Sequence, residues 1–161
     1  MGLDMYLNKN TYVGAMFPEF SDVKGTVKIS RRGVELPIKF ERISHISEEV
    51  MYWRKANAIH QWFVDNVQDG IDNCQVSYVP FKKLEELLEI VTNLLVSKSP
   101  ELAEKLLPPQ AGFFFGGTEI DNWYWEDLQL TREGLTKIIE EEKTNQEKYK
   151  VYGDYYYHSS W

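Results

Sequence analysis

Both ends of this chain read as β-strands while its middle reads as helix, and that layout constrains the fold more than any other feature. From Gly2 to Leu7, the apolar Leu3, Met5 and Leu7 alternate with Asp4 and Tyr6, which is the period of a half-buried strand. The stretch from Asp154 to Trp161 is an aromatic run of the type that favours strands. Strands at the two ends with helices between them point to an α+β fold. We expect a single domain over 1–161, with a mostly antiparallel sheet that includes both terminal strands and about three helices packed on it. A chain of 161 residues suits one domain and buries roughly two-thirds of its unfolded surface. No repeat, linker or low-complexity stretch divides it.

Between the ends, local patterns set the expected elements. Asn8 to Gly25 is rich in turn residues and reads as a long connection. Thr26–Ser30 and Val34–Phe40 flank Arg31-Arg32-Gly33, a hairpin pattern, and Pro37 demotes the second run towards a sheet edge. Ser44 or Ser47 can cap a helix with Glu48 and Glu49 in its first turn. The spacing predicts that this helix reaches Val67. At about 100° per residue, Tyr52, Ala56, Ile59, Phe63 and Val67 share one face, and Met51 and Trp62 fall on the far side. Gln75–Val79 suits a short strand. Phe81–Val96 suits an amphipathic helix with Leu84, Leu87, Leu88, Val91 and Leu95 inward, and Ser99-Pro100 opens a brief helix to Leu107. Phe113–Phe115 reads as a glycine-punctuated buried strand. Thr118 with Asp121 resembles a capping box for a helix to about Asn145.

Composition excludes several classes. Hydrophobic residues make up 43% and aromatics 14% of the chain, a globular signature. A net charge of −7 disfavours nonspecific binding of nucleic acid or an anionic membrane surface. The one cysteine, Cys74, allows no internal disulfide and favours a reducing cytoplasm. No apolar run approaches the ~18 residues of a membrane span, and no secretion signal is visible. Gly2 is followed at position 6 by Tyr6 rather than Ser or Thr, so no myristoylation signal is read.

The chemistry-bearing residues are sparse. Cys74 neighbours Asp72 and Asn73, a setting that raises a thiol pKa. His45, His60 and His158 are far apart, and no ligand-spaced His or Cys pair occurs, so no metal is expected. The glycine-bearing loop Gly112–Thr118 precedes a helix, yet no Walker lysine or Gly-x-Gly-x-x-Gly spacing accompanies it. No cofactor is implied. The best site is a cluster on the expected long helix: Trp53, Arg54, Asn57, His60 and Gln61 fall within a ~100° arc. Arg supplies a planar fork for phosphate or carboxylate, Trp stacks on a ring, and Asn and Gln read a heterocycle edge. The structural alternative pairs Arg54 with Asp4 or Asp121 and makes His60 a satisfied histidine at the core edge. Asp4, Glu119 and Asp121 could instead form an acid–base set.

Several phrases carry a family resemblance. Gly2-Leu3-Asp4-Met5-Tyr6-Leu7, Tyr52-Trp53-Arg54-Lys55-Ala56-Asn57 with Ile59-His60 and Trp62-Phe63, Gly112-Phe113-Phe114-Phe115-Gly116 with Thr118-Glu119, and the ending Ser159-Ser160-Trp161 resemble a family of small bacteriophage and prophage proteins. The resemblance implies a cytoplasmic accessory protein of phage origin, in the host cell, and carries over no catalytic residue. Three functions are expected from residues and resemblance together. The first is binding of a small anionic, nucleotide-like molecule, by analogy a sequestered host-defence signal. The second is a hydrolase or phosphoesterase using His60 with Asp4 or Glu119. The third is an inhibitor that binds a host protein through an aromatic surface such as Trp62 and Met51. A homo-oligomer is open as well.

Overall fold

The structure, a computed structural model, describes residues 2–14, 28–39, 42–112 and 114–161. Three expected features lie partly or wholly outside them: most of the long connection up to Gly25, the outer residues Thr26, Val27 and Phe40 of the hairpin, and Phe113. The fold is α+β. Among the described residues, its main sheet has four strands in the order β4-β1-β6-β5, all neighbours antiparallel. They are β1 (Asp4–Tyr12), β4 (His45–Arg54), β5 (Ser77–Val79) and β6 (Gly153–Ser160). The two terminal strands lie side by side at the centre, with Asp4 opposite Ser160 and Thr11 opposite Gly153. A separate hairpin joins β2 (Ser30–Arg31) to β3 (Val34–Glu35). Its turn residues Arg32 and Gly33 both have positive φ, 53° and 79°, which matches the right-handed twist of the flanking strands.

Among the described residues, four α-helices accompany the sheet: α1 (Asn57–Val67), α2 (Phe81–Ser97), α3 (Pro100–Leu106) and α4 (Asn122–Thr144). Alternation decides which sheet face they cover. Leu3, Met5 and Leu7 are fully buried with Tyr155 and Tyr157, whereas Asp4, Tyr6, Asn8 and Asn10 stay half-exposed on the other face. Helix α1 contributes Ile59 and Phe63, with the Phe63 ring stacked on Tyr157 at 4.0 Å. Helix α2 buries Leu84, Leu87, Val91, Leu94 and Leu95, the period expected of it, and Leu88 is only partly buried. The Ser99 hydroxyl caps α3 by accepting from Leu102 N at 3.2 Å.

Four expectations are corrected. Strand β1 runs on to Tyr12, so Asn8–Tyr12 is not a connection. The residues expected to open a long helix form β4 instead, and α1 begins only at Asn57. In β4 the period is two, so Met51 and Trp53 point into the core while Tyr52 and Arg54 point out. Residues 114 and 115 form a turn rather than a strand, with Phe114 O accepting from Leu3 N at 3.1 Å. Helix α4 is capped by Asp121, not Thr118; its carboxylate accepts from Tyr124 N at 3.1 Å.

Extending β1 past Leu7 puts a cation on the core face. Lys9 is 7% exposed and its Nζ lies 2.7 Å from Glu142 on α4, itself 1% exposed. Glu142 also accepts from Tyr155 Oη, Gln146 Nε2 and Gly153 N, each at 2.9 Å. Every carboxylate oxygen thus has two donors, the condition under which a buried charge is tolerated. Burial pushes the Glu142 pKa up, but the bonds from Lys9, Gly153, Gln146 and Tyr155 outweigh it, and the net shift is downward.

Candidate functional site

The expected five-residue cluster does not exist as one face. Trp53 is fully buried, and its indole Nε1 donates to Thr131 Oγ1 on α4 at 2.8 Å. His60 is also fully buried, with Nδ1 2.7 Å from Tyr157 Oη and Nε2 2.9 Å from Asp72. Gln61 is half-buried and donates to Asp65 at 2.8 Å. The cause is the switch of period at residue 55, where strand gives way to helix. Trp53 and His60 are therefore structural, and only Arg54 and Asn57 reach a common cleft. Of the acid–base set, Asp4 sits across the sheet from Arg54. Its carboxylate accepts a short hydrogen bond from Tyr52 Oη and lies 3.9 Å from Arg54 Nε. The Asp4–Arg54 pairing is thus real but half-exposed, not buried. Met51 and Trp62, the aromatic surface expected of an inhibitor, are both 7% exposed and belong to the core.

The cleft, about 510 Å³, opens where two helices begin. One wall is the end of β4, the connection Lys55-Ala56 and the first turn of α1; the other is the first two turns of α4 with Glu119 and Asp121 before it. Lys55 stands in the left-handed region at φ 61°, a conformation that costs a non-glycine residue about 1–2 kcal/mol. It turns the chain sharply: Lys55 N donates to Leu3 O and Lys55 O accepts from Asn57 N, both at 2.8 Å. The side chain at the start of α1, Ala56, cannot cap the helix. The amides of Ala58 and Ile59 therefore find no acceptor among the described residues, and both residues line the cleft. Free first-turn amides and the helix dipole favour an anion.

Asn57 closes the floor. Its Nδ2 donates to Phe115 O at 3.0 Å and Gly117 O at 2.8 Å, and its Oδ1 accepts from Gln110 N at 2.9 Å. These three bonds bind a strap carrying Gln110, Phe115 and Gly117 to the start of α1. Gly116 turns the chain here at φ 90°, a left-handed conformation that glycine adopts without steric cost.

Charges of both signs face the cleft. Arg54 has only its long contact to Asp4, and Lys55 Nζ has no ion-pair partner among the described residues. Opposite them stand Glu119, Asp121 and Asp127. Asp121 is spent on capping α4. Burial, aided by Glu126 and Asp121, pushes the Asp127 carboxyl up to about 6. Trp123, 74% exposed, lines the cleft from α4. Lys55, Trp123 and Asp127 were missed from the sequence. An indole beside the Asp121 cap was a visible signal for Trp123; nothing local marks Asp127. Among the described residues no group of His, Cys, Asp or Glu is arranged to hold a metal ion, and no helix is long and apolar enough to cross a membrane. No protein-family model, curated protein or solved structure matches this chain.

Proposed function

We propose that this cleft binds a small anionic, ring-bearing molecule of nucleotide type. The observation that carries the reading is the convergence of the uncapped start of α1, Arg54 and Lys55 on a cleft that the exposed Trp123 also lines. A phosphate would take the amides of Ala58 and Ile59 and the Arg54 fork. A base would stack on the Trp123 indole, with its amino or ring N–H donors facing the carboxylates of Glu119 and Asp127. The resemblance to small phage and prophage proteins supports a role in sequestering a host-defence nucleotide in the cytoplasm. Calorimetric titration of mononucleotides, cyclic mononucleotides and cyclic dinucleotides tests the reading. One of them should bind the parent; Arg54→Ala should weaken it roughly ten- to a hundredfold and Trp123→Ala about fivefold or more. If no member of the panel binds, or both variants bind like the parent, the reading fails.

One observation favours a second reading. Burial raises the Asp127 carboxyl to about 6, and it has no hydrogen-bond partner among the described residues, a state suited to a general acid or base. A phosphoesterase would then rest on Asp127, since both His60 nitrogens are already engaged. Product formation in the same nucleotide panel, lost in Asp127→Asn, separates turnover from binding.

A further inference from the structure

The strap that closes the cleft also lines a second cavity of about 440 Å³, through Gln110, Gly112, Phe114 and Phe115. Its character is different. The Phe115 and Trp161 rings meet edge to face at 6.1 Å with their planes at 72°, and Phe114 belongs to the same lining. Asp72 is the charged residue of the lining, and no Lys or Arg joins it among the described residues.

The Asp72 carboxylate is held in place. Its Oδ1 accepts from Trp161 Nε1 at 3.2 Å and its Oδ2 lies 2.9 Å from His60 Nε2. A carboxylate only accepts, so His60 Nε2 carries the proton. A neutral ring then accepts at Nδ1, and the Tyr157 hydroxyl, 2.7 Å away, donates. Burial, with Asp72 and Cys74 nearby, keeps that hydroxyl well above its ordinary pKa and therefore able to donate. The chain Tyr157–His60–Asp72 thus orients a carboxylate whose negative charge a neutral imidazole does not cancel. The Asp72 side chain is 24% exposed, so the charge remains open to a ligand.

The geometry points to a binding site for an organic cation, an alkylated ammonium group, with Phe114, Phe115 and Trp161 as walls and Asp72 as counter-ion. Ring faces attract a cation through their quadrupole, and a desolvated site strengthens the attraction. An anion would meet Asp72 with no basic residue to offset it. A neutral apolar ligand would desolvate the carboxylate without replacing its lost hydration. The overall charge of −7 raises the local concentration of cations. Gly112 keeps the wall in place, since a Cβ there would run into the Phe115 ring. None of these residues depends on the nucleotide reading of the cleft.

The test titrates choline, and its uncharged isostere 3,3-dimethylbutan-1-ol, into the full chain. The Trp161 indole resonance is followed by two-dimensional NMR and assigned with Trp161→Phe. Choline should shift that resonance saturably, and the isostere should bind about tenfold or more weakly. Asp72→Asn keeps the shape and an acceptor for His60, and should weaken choline about tenfold. Trp161→Ala removes a half-exposed ring and should weaken it about fivefold; it serves if Asp72→Asn does not fold. Absence of a saturable shift, equal binding of the isostere, or full affinity in the folded variants would overturn the assignment.

Discussion

Replacing Glu142 tests how a charge is kept inside this fold. Glu142 is 1% exposed and receives four donors, from Lys9, Tyr155, Gln146 and Gly153. Those donors join α4 to β1, to β6 and to the π-turn Asn145–Tyr149. Glu142→Ala strands the Lys9 ammonium, 7% exposed, in the core. Removing one partner of a buried pair costs about 3–5 kcal/mol, a large share of a net stability of roughly 5–15 kcal/mol. At about 2–4 °C per kcal/mol for a chain of this size, the melting temperature should fall by roughly 6–20 °C. Urea unfolding of the parent, Glu142→Ala, Lys9→Met and the double variant closes a thermodynamic cycle. The double variant should be less destabilised than the two single losses added together, because neither charge is then left alone. The pH dependence has a fixed sign. The folded Glu142 pKa lies below its ordinary 4.5, so its stabilisation is present above pH 4.5 and drains away as the pH falls through the lower folded value. Glu142→Gln should flatten that acid limb. A cost below about 1 kcal/mol, or strictly additive losses, would show that the pair is no better than a surface ion pair and refute the reasoning.

Other outcomes follow from single contacts. Asn57→Ala strands Phe115 O, Gly117 O and Gln110 N together; it should cost roughly 1–3 kcal/mol, and hydrogen exchange should quicken at Gln110 within the strap. Asp127, raised from 3.8 to about 6, disfavours the folded state once ionised: its contribution is fully present below pH 3.8 and lost as pH rises through about 6. Asp127→Asn should therefore stabilise the protein at pH 8 by about 1 kcal/mol or less, after screening, and not at pH 4, as paired urea melts would show. Asp4→Ala removes a half-exposed pair and should cost no more than about 1 kcal/mol, measured by thermal melting; a loss of several would mean that the pair is effectively buried.

The sequence alone determined the layers of this fold. Period-two alternation in Leu3, Met5 and Leu7 and the aromatic run before Trp161 marked the two central strands, because each has one dry face and one wet face. Leucine spacing marked α2, and Ser99 with Pro100 marked the start of α3. Tertiary structure decided the rest. Ser47, Glu48 and Glu49 suit a helix start locally, but hydrogen bonding to β1 and burial of Met51 and Trp53 draw His45–Arg54 into the sheet. The bulge between Leu7 and Asn8 further hides its period. His60 could be read as pocket or core from its neighbours in sequence. Its partners are Asp72, 12 residues away, and Tyr157, 97 residues away. The cleft assembles Lys55, Gly116 and Asp127, and the second cavity Asp72 and Trp161. Contacts so distant in sequence carry no local signature, because side-chain periodicity reports which face of an element is dry and never which element covers it.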